Sequence, residues 1–382
     1  MRKTIHRMQA APRSRSRGVT LIELLVAVAI GLIATVAIFQ VFAVFEGQKR
    51  TTASGGEAQT NGALALFTLE RELRLAGYGI NNTDYLGCNI LGWDEATGGT
   101  AFTLTWAPVR ITQGVAGAPD TVTVMYGSGN LLPNPANITQ NMASPVVPYV
   151  VGNRYGFREG DVIIAAETGK DCTLAQVSNL PTGAGQTGQI LHASGSYNDP
   201  DTGAPTATRY NKPAGLGVSY TFNGKVFNIG ARPVNNIYTI QSGQLMLAQM
   251  LSAPTTAAAA LYDGIVQVQA QYGKDDGIDN GTVVHASYTA GDGIIDKFDE
   301  VPPVTAADWA QVLAVRIAVV ARSNLPERPD PDGVCRTTTA ASANRPQWAA
   351  GDIDVSADAN WQCYRYKTFE TTVPIRNMFW RP

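Results

Sequence analysis

Twenty-two consecutive residues, Leu24 to Phe45, carry no charge (LLVAVAIGLIATVAIFQVFAVF). As a helix this run spans about 33 Å, enough to cross a bilayer hydrocarbon core of roughly 30 Å. A core helix of a water-soluble domain would be shorter and interrupted by polar residues every three or four positions, and this run is not. A removable secretory signal would have an apolar stretch of roughly 7–15 residues followed by a small-residue cleavage site. Here no A-x-A site follows, and Gly47 to Arg50 (GQKR) bounds the run. The apolar segment is therefore expected to stay in the mature protein. Whatever else the chain folds into must be a body lying on one side of a membrane.

Charge says which side. The formal net charge is −2, but residues 1–18 hold six cations (Arg2, Lys3, Arg7, Arg13, Arg15, Arg17) and no acid. The remaining chain carries 23 bases against 31 acids, a net of −8. A basic flank ahead of the apolar run stays in the cytoplasm, so the body is expected to be exported. A body of that charge does not suit nucleic acid, which calls for clustered Lys and Arg.

Glu23 stands at the start of the apolar run. An intramembrane acid costs about 2.5–3.5 kcal/mol at the centre of a bilayer and less near its edge. Two readings are open: the carboxylate sits at headgroup level beside the basic flank, or it pairs with a cation within or between subunits. The surrounding residues, Arg17-Gly18-Val19-Thr20-Leu21-Ile22-Glu23 followed at once by the long apolar helix, resemble the class III signal of type IV prepilins and pseudopilins. That resemblance implies cleavage after Gly18 by a dedicated prepilin peptidase on the cytoplasmic side and methylation of the new N-terminus, Val19. It also implies that Glu23 pairs with the N-terminal amine of a neighbouring subunit during assembly. The usual first mature residue in that family is Phe, and here it is Val; the cut depends mainly on the Gly.

Beyond the membrane run, Ser54-Gly55-Gly56 and Gly62 weaken the helical pattern, which then resumes. Leu66, Leu69, Leu73 and Ala76 form an amphipathic stripe, with Glu70 and Arg74 at i, i+4 on the outer side and Gly77 as the stop. From about residue 100 the pattern turns to β. Thr121–Val124 and Val218–Phe222 alternate with period two, Asp161–Ala165 reads as a buried strand, and Leu313–Val319 and Tyr366–Ile375 alternate again. Gly-, Pro- and Asn-rich loops over 127–148, 179–189, 195–217 and 323–352 separate them. Loops so long are expected to hide short elements. Charged residues are 16% of the chain, against roughly 25% in an average domain, and 38 Gly and 21 Pro take their place, as suits a loop-rich β body.

Three blocks of the body, Leu69–Tyr78 (LERELRLAGY), Trp309–Ser323 (WAQVLAVRIAVVARS) and Val373–Asn377 (VPIRN), look like the PilW family of type IV pilus minor pilins. The resemblance implies a role in a small complex that primes pilus assembly at or near the fibre tip. Its implied partners are other minor pilins, the major pilin and the inner-membrane assembly platform.

Four cysteines, Cys88, Cys172, Cys335 and Cys363, lie beyond the membrane run. In an exported body they fit two disulfides in any of three connectivities. The local guess is Cys335–Cys363, which would clip the loop 323–352 to the last strand pair, a loop closure worth about 3–4 kcal/mol. Zinc is not expected, for there is no C-x-x-C pair and the body holds only His192 and His285. Gly183–Gly188 spells G-x-G-x-x-G but lacks the strand-to-helix context of a dinucleotide site. Asp275, Asp279, Asp292 and Asp296 sit in two Asp-Gly turns and are weak candidates for Ca²⁺. Neither segment matches a calcium loop, and two solvated turns is the plainer reading. No nucleophile motif is recognisable, and no cofactor is expected.

The expectation is an α+β, pilin-like chain with a long N-terminal helix packed on an antiparallel β-sheet with long loops. Residues 1–18 are the leader, 19–46 the transmembrane and assembly helix, 47–79 its amphipathic half and 80–382 the exported body. The protein is expected in the inner membrane as a single pass with a periplasmic body, then in the pilus fibre at the cell surface. The alternative is a pseudopilin of a type II secretion system, with a tip adhesin or membrane-anchored enzyme less favoured.

Overall fold

The helix begun by the membrane run does not stop with it. In the computed structural model α1 is continuous from Leu21 to Leu75. The structure describes residues 18–80, 82–129, 134–251, 257–284, 287–341 and 345–379; all of the leader but Gly18, and His285, lie outside them. The chain divides into two units, Met1–Ala53 and Ser54–Pro382, and α1 contributes to both.

In the first unit the stretch of α1 from Leu24 to Phe45 carries no charge on any side. Every side chain described from Val19 to Phe45 is exposed, as befits a helix whose solvent is lipid or other helices. The one helix long and apolar enough to cross a membrane among the described residues is this one. Its polar interruption is quiet: the Thr35 hydroxyl donates to the Gly31 carbonyl one turn back, 2.7 Å away, so it offers no unsatisfied donor to hydrocarbon.

In the second unit the expected weakening at residues 54–62 is not found. Gly55 and Gly56 have open space around them and stay helical. Gly62 has a packing reason: a Cβ there would lie 2.3 Å from the Phe369 ring and 2.9 Å from Ala321 Cβ. The buried face of the helix runs Ala58, Gly62, Ala65, Leu69, Leu73, Ala76, small residues first and leucines later. Leu66, expected on this face, is half-buried at its side. The small residues let the helix backbone lie close to the sheet, and the leucines fill the wider gap further on. The outer Glu70–Arg74 ion pair forms, and Gly77 ends the helix at φ +82°, a left-handed value that glycine adopts without strain.

Three sheets carry the body. The first has strands in the order 100–105, 89–94, 172–176, 162–166, 225–230 and 136–137; the second runs 259–263, 244–249, 234–241, 121–126 and 109–112; the third runs 297–299, 265–274, 312–322 and 366–374. Neighbours are antiparallel except Asn89–Asp94 with Cys172–Gln176, which run parallel. The first sheet is buried on both faces. Val162, Ile164, Leu174 and Phe227 join the core under α1, while Ile163, Ala165, Ala175 and Val226 face a second core with Tyr149, Val151 and Tyr220. The strand Val312–Arg322 is also covered on both sides, its second face by Ile353, Val355 and Tyr366.

Two strand expectations need correction. β structure begins at Asn89, before residue 100. Val218–Phe222 forms no strand but is irregular and runs into a turn at Phe222, and the strand lies just after it at Lys225–Gly230. Of its alternating residues only Tyr220 is buried, its hydroxyl bonding Thr173 and the Asp171 carbonyl, while Phe222 is exposed. The loops 179–189 and 195–217 do hide short elements, including the hairpin 196–198 with 205–207.

Candidate assembly surface

The N-terminal site is built by four residues. Thr20 is the first non-helical residue before α1, and its hydroxyl accepts the Glu23 N–H at 3.3 Å. In return Glu23 Oε2 accepts the Thr20 N–H and the Thr20 hydroxyl, both at 2.9 Å. This is a capping box, T-x-x-E, satisfying donors at a helix start that have no partner within the helix. The reading of Glu23 as either a headgroup acid or an intersubunit partner missed this third role, although the spacing Thr20 to Glu23 is the signal for it. The carboxylate also lies where the helix macrodipole favours negative charge. Gly18 and Val19 lie next to it in open space, and Val19 is 72% exposed.

On the body the helix is held by polar contacts as well as by its core face. Ser54 Oγ accepts the Leu325 N–H at 3.1 Å, and Glu57 accepts the Asn324 amide at 2.7 Å. The Asn61 amide donates to the Asp263 carbonyl at 3.1 Å, and the Thr68 and Tyr262 hydroxyls bond at 2.8 Å. Glu72 is buried, and its carboxylate accepts the Asn236 amide at 2.8 Å and the Tyr126 hydroxyl at 3.2 Å. Burial, with the Glu72 charge second, pushes the Tyr126 hydroxyl up to about 12, so it stays a donor. On the opposite side of the same helix Leu64, Phe67 and Leu75 are exposed. A row of apolar side chains on one solvent-facing helix is a surface for packing against another helix.

The disulfides are Cys88–Cys172, Cα atoms 6.1 Å apart, and Cys335–Cys363, 4.9 Å apart. The first ties the turn after α1 to the parallel strand pair. The second closes the loop that covers the outer face of Val312–Arg322.

The acidic turns clasp each other. Asp275 accepts the Gly291 and Gly293 N–H groups at 2.6 and 2.8 Å, and Asp296 reciprocates by accepting the Gly277 N–H at 2.6 Å. Asp279 and Asp292 accept the N–H groups of Gly281 and Ile294 within their own turns. The carboxylates face backbone donors, and among the described residues no group of three or more His, Cys, Asp or Glu is placed to hold a metal ion. The glycine-rich segment 183–188 is a turn leading into the strand Gln189–Ile190, with no helix after it.

Two family models match the chain. Residues 13–39 match the prokaryotic N-terminal methylation motif, and residues 226–377 match the type IV pilus-assembly protein W family. No curated protein and no solved structure matches. The second match covers the blocks at 309–323 and 373–377 but not Leu69–Tyr78. It holds Asn236, Tyr262, Asp263, Asn324, Leu325 and Phe369, most of the partners of the body half of α1. A prepilin-type motif at one end thus stands with a body whose residues 226–377, holding most of the helix cradle, are similar to the type IV pilus-assembly protein W family.

Proposed function

We propose that the leader is cut after Gly18 and Val19 becomes the methylated N-terminus. The protein then sits in the inner membrane as a single pass with its body in the periplasm. There it joins other minor pilins in a complex that primes assembly through the membrane platform and remains at or near the fibre tip. Glu23 receives the amine of Val19 from a neighbouring subunit, a cation that offsets the cost of an acid in a low-dielectric surround.

The observation that carries this reading is the apolar girdle of α1. Its described side chains from Val19 to Phe45 are exposed on all sides, and a helix of this kind has no stable state in water. It needs lipid before assembly and neighbouring helices after it. The test is co-purification of the full mature chain with candidate minor pilins from membranes, with pili counted in a strain lacking the protein. N-terminal sequencing should begin at Val19. Normal piliation in that strain, or an intact Met1 in the mature protein, would overturn the proposal.

A further inference from the structure

The body carries a cleft of about 600 Å³, lined by residues 128–201 that lie outside the matched part of the chain and by Asn228 to Arg232 at its start. It opens where the strands Val162–Ala166 and Lys225–Gly230 end, and its walls come from the turn 155–158, the hairpin after Tyr197 and the turn 230–232. Its shape is fixed by a short network. Asp161 Oδ2 accepts the Arg158 N–H at 2.8 Å and the Asn228 amide at 2.7 Å. Asn228 in turn donates to the Gly156 carbonyl and accepts the Gly230 N–H. Gly230 holds φ +84°, and a Cβ there would fall 2.4 Å from Gly129 N, so the turn cannot be widened by another residue.

The lining is unusual in three respects taken together. Its two arginines, Arg158 and Arg232, balance its two aspartates, Asp161 and Asp201, and Arg158 pairs with Asp201 at 3.0 Å. Donors and acceptors are both present, and burial pushes the Asp161 carboxyl up from its usual range. At the mouth the Tyr155 ring is 92% exposed, while its N–H is anchored on the Asn153 side chain at 2.8 Å. An anion would want a net positive cleft, and an extended peptide would want a free strand edge or an apolar pocket. A neutral sugar has an apolar ring face for stacking and hydroxyls that both donate and accept, and the volume is that of a small-molecule site.

We propose that this cleft binds a neutral oligosaccharide, with Tyr155 as the stacking platform and Arg158, Arg232 and Asp161 bonding its hydroxyls. The site is separate from the helix surfaces of assembly, so the two readings fail independently.

The test uses the full mature chain in detergent against an immobilised library of chito-, malto-, cello- and galacto-oligomers, with sialylated oligosaccharides and an extended decapeptide as further arms. Titration of the best binder follows in solution. At least one neutral oligomer should bind, and Tyr155→Ala and Arg232→Ala should each weaken it tenfold or more. Melting temperatures should not change, because the Tyr155 ring is in solvent and Arg232 holds its turn through its backbone N–H to Ser128 Oγ. The N-acetylated and plain hexose arms distinguish a wall-type from a storage-type glycan. No binding of any neutral oligomer at millimolar concentration, equal binding by both variants, or preference for the sialylated or peptide arm would overturn the proposal.

Discussion

Asn377, three residues beyond the last strand, donates its side-chain amide to the carbonyls of both Leu75 and Ala76, at 3.2 and 3.0 Å. The end of α1 is thus capped by a residue from the far end of the chain. Carbonyls at a helix C-terminus have no partner within the helix, and here the body supplies one side chain for two of them.

Replacing that side chain should loosen the helix end without touching the core. Asn377→Ala is expected to cost about 1–2 kcal/mol, the loss of two hydrogen bonds at a partly buried site. Asn377→Asp should cost more, because it puts an acid against the negative end of the helix dipole. Thermal melting of the mature chain reads both, and equal melting of wild type and both variants would remove Asn377 from the helix cap.

The glycines of α1 should answer oppositely. Gly62→Val sets a Cβ against Phe369 and Ala321 and is expected to lower stability by about 1–3 kcal/mol, typical of overpacking. Gly55→Ala has open space and should raise it by up to about 1 kcal/mol through helix propensity. A double variant Gly62→Val with Phe369→Ala should recover part of the loss. Additive losses in that cycle would show that the two residues do not meet.

Asp120 ties the loop 113–120 to the strand Ile265–Lys274. Its carboxylate accepts the Gly114 and Ala270 N–H groups, both at 2.8 Å. Burial outweighs these bonds and pushes its carboxyl up to about 6 from 3.8, with Glu300 adding slightly. A raised acid is protonated in the folded state where the unfolded chain is already ionised. Its contribution to stability is therefore greatest at low pH and falls as pH rises from about 4 to about 6. The difference in melting temperature between wild type and Asp120→Asn should shrink across that window. A flat difference from pH 4 to pH 7 would mean that Asp120 does not titrate there.

Glu23→Gln separates the two jobs of that side chain. Gln still serves a capping box, so α1 should begin at the same place and the leader should still be removed. The charge is gone, so incorporation into sheared pili is expected to fall several-fold. Thr20→Val does the reverse, removing the cap and keeping the charge. Wild-type incorporation of Glu23→Gln in a strain carrying no other copy would leave Glu23 with the cap alone.

Much of this architecture could be read from local pattern. Leu69, Leu73 and Ala76 gave the core face of α1, Gly77 its end, and Leu313–Val319 the central strand of the third sheet. What escaped had a distant cause. Gly62 looked like a helix weakness because its partner, Phe369, is near the other end of the chain. Val218–Phe222 looked like a strand because its residues alternate, but only a neighbouring backbone makes a ladder, and Phe222 is in fact exposed. The parallel pairing of Ile90 with Cys172 has no local signal at all. The capping box was legible, but attention to the cost of an acid in lipid hid the cheaper local partner at Thr20. The cleft at Asp161 could not be read, since its walls come from segments far apart in the chain.

The anchors along the body half of α1 have a mechanical meaning. The bonds from Ser54, Asn61, Thr68 and Glu72 leave the helix sideways toward the sheets. A pull along the helix axis therefore loads them in shear, so they must yield nearly together, whereas a force lifting one end would peel them in turn. Resistance to forced unfolding is set by the unfolding barrier, and a barrier that breaks several bonds in one event is high. The body half of α1 is held most stiffly along its own axis.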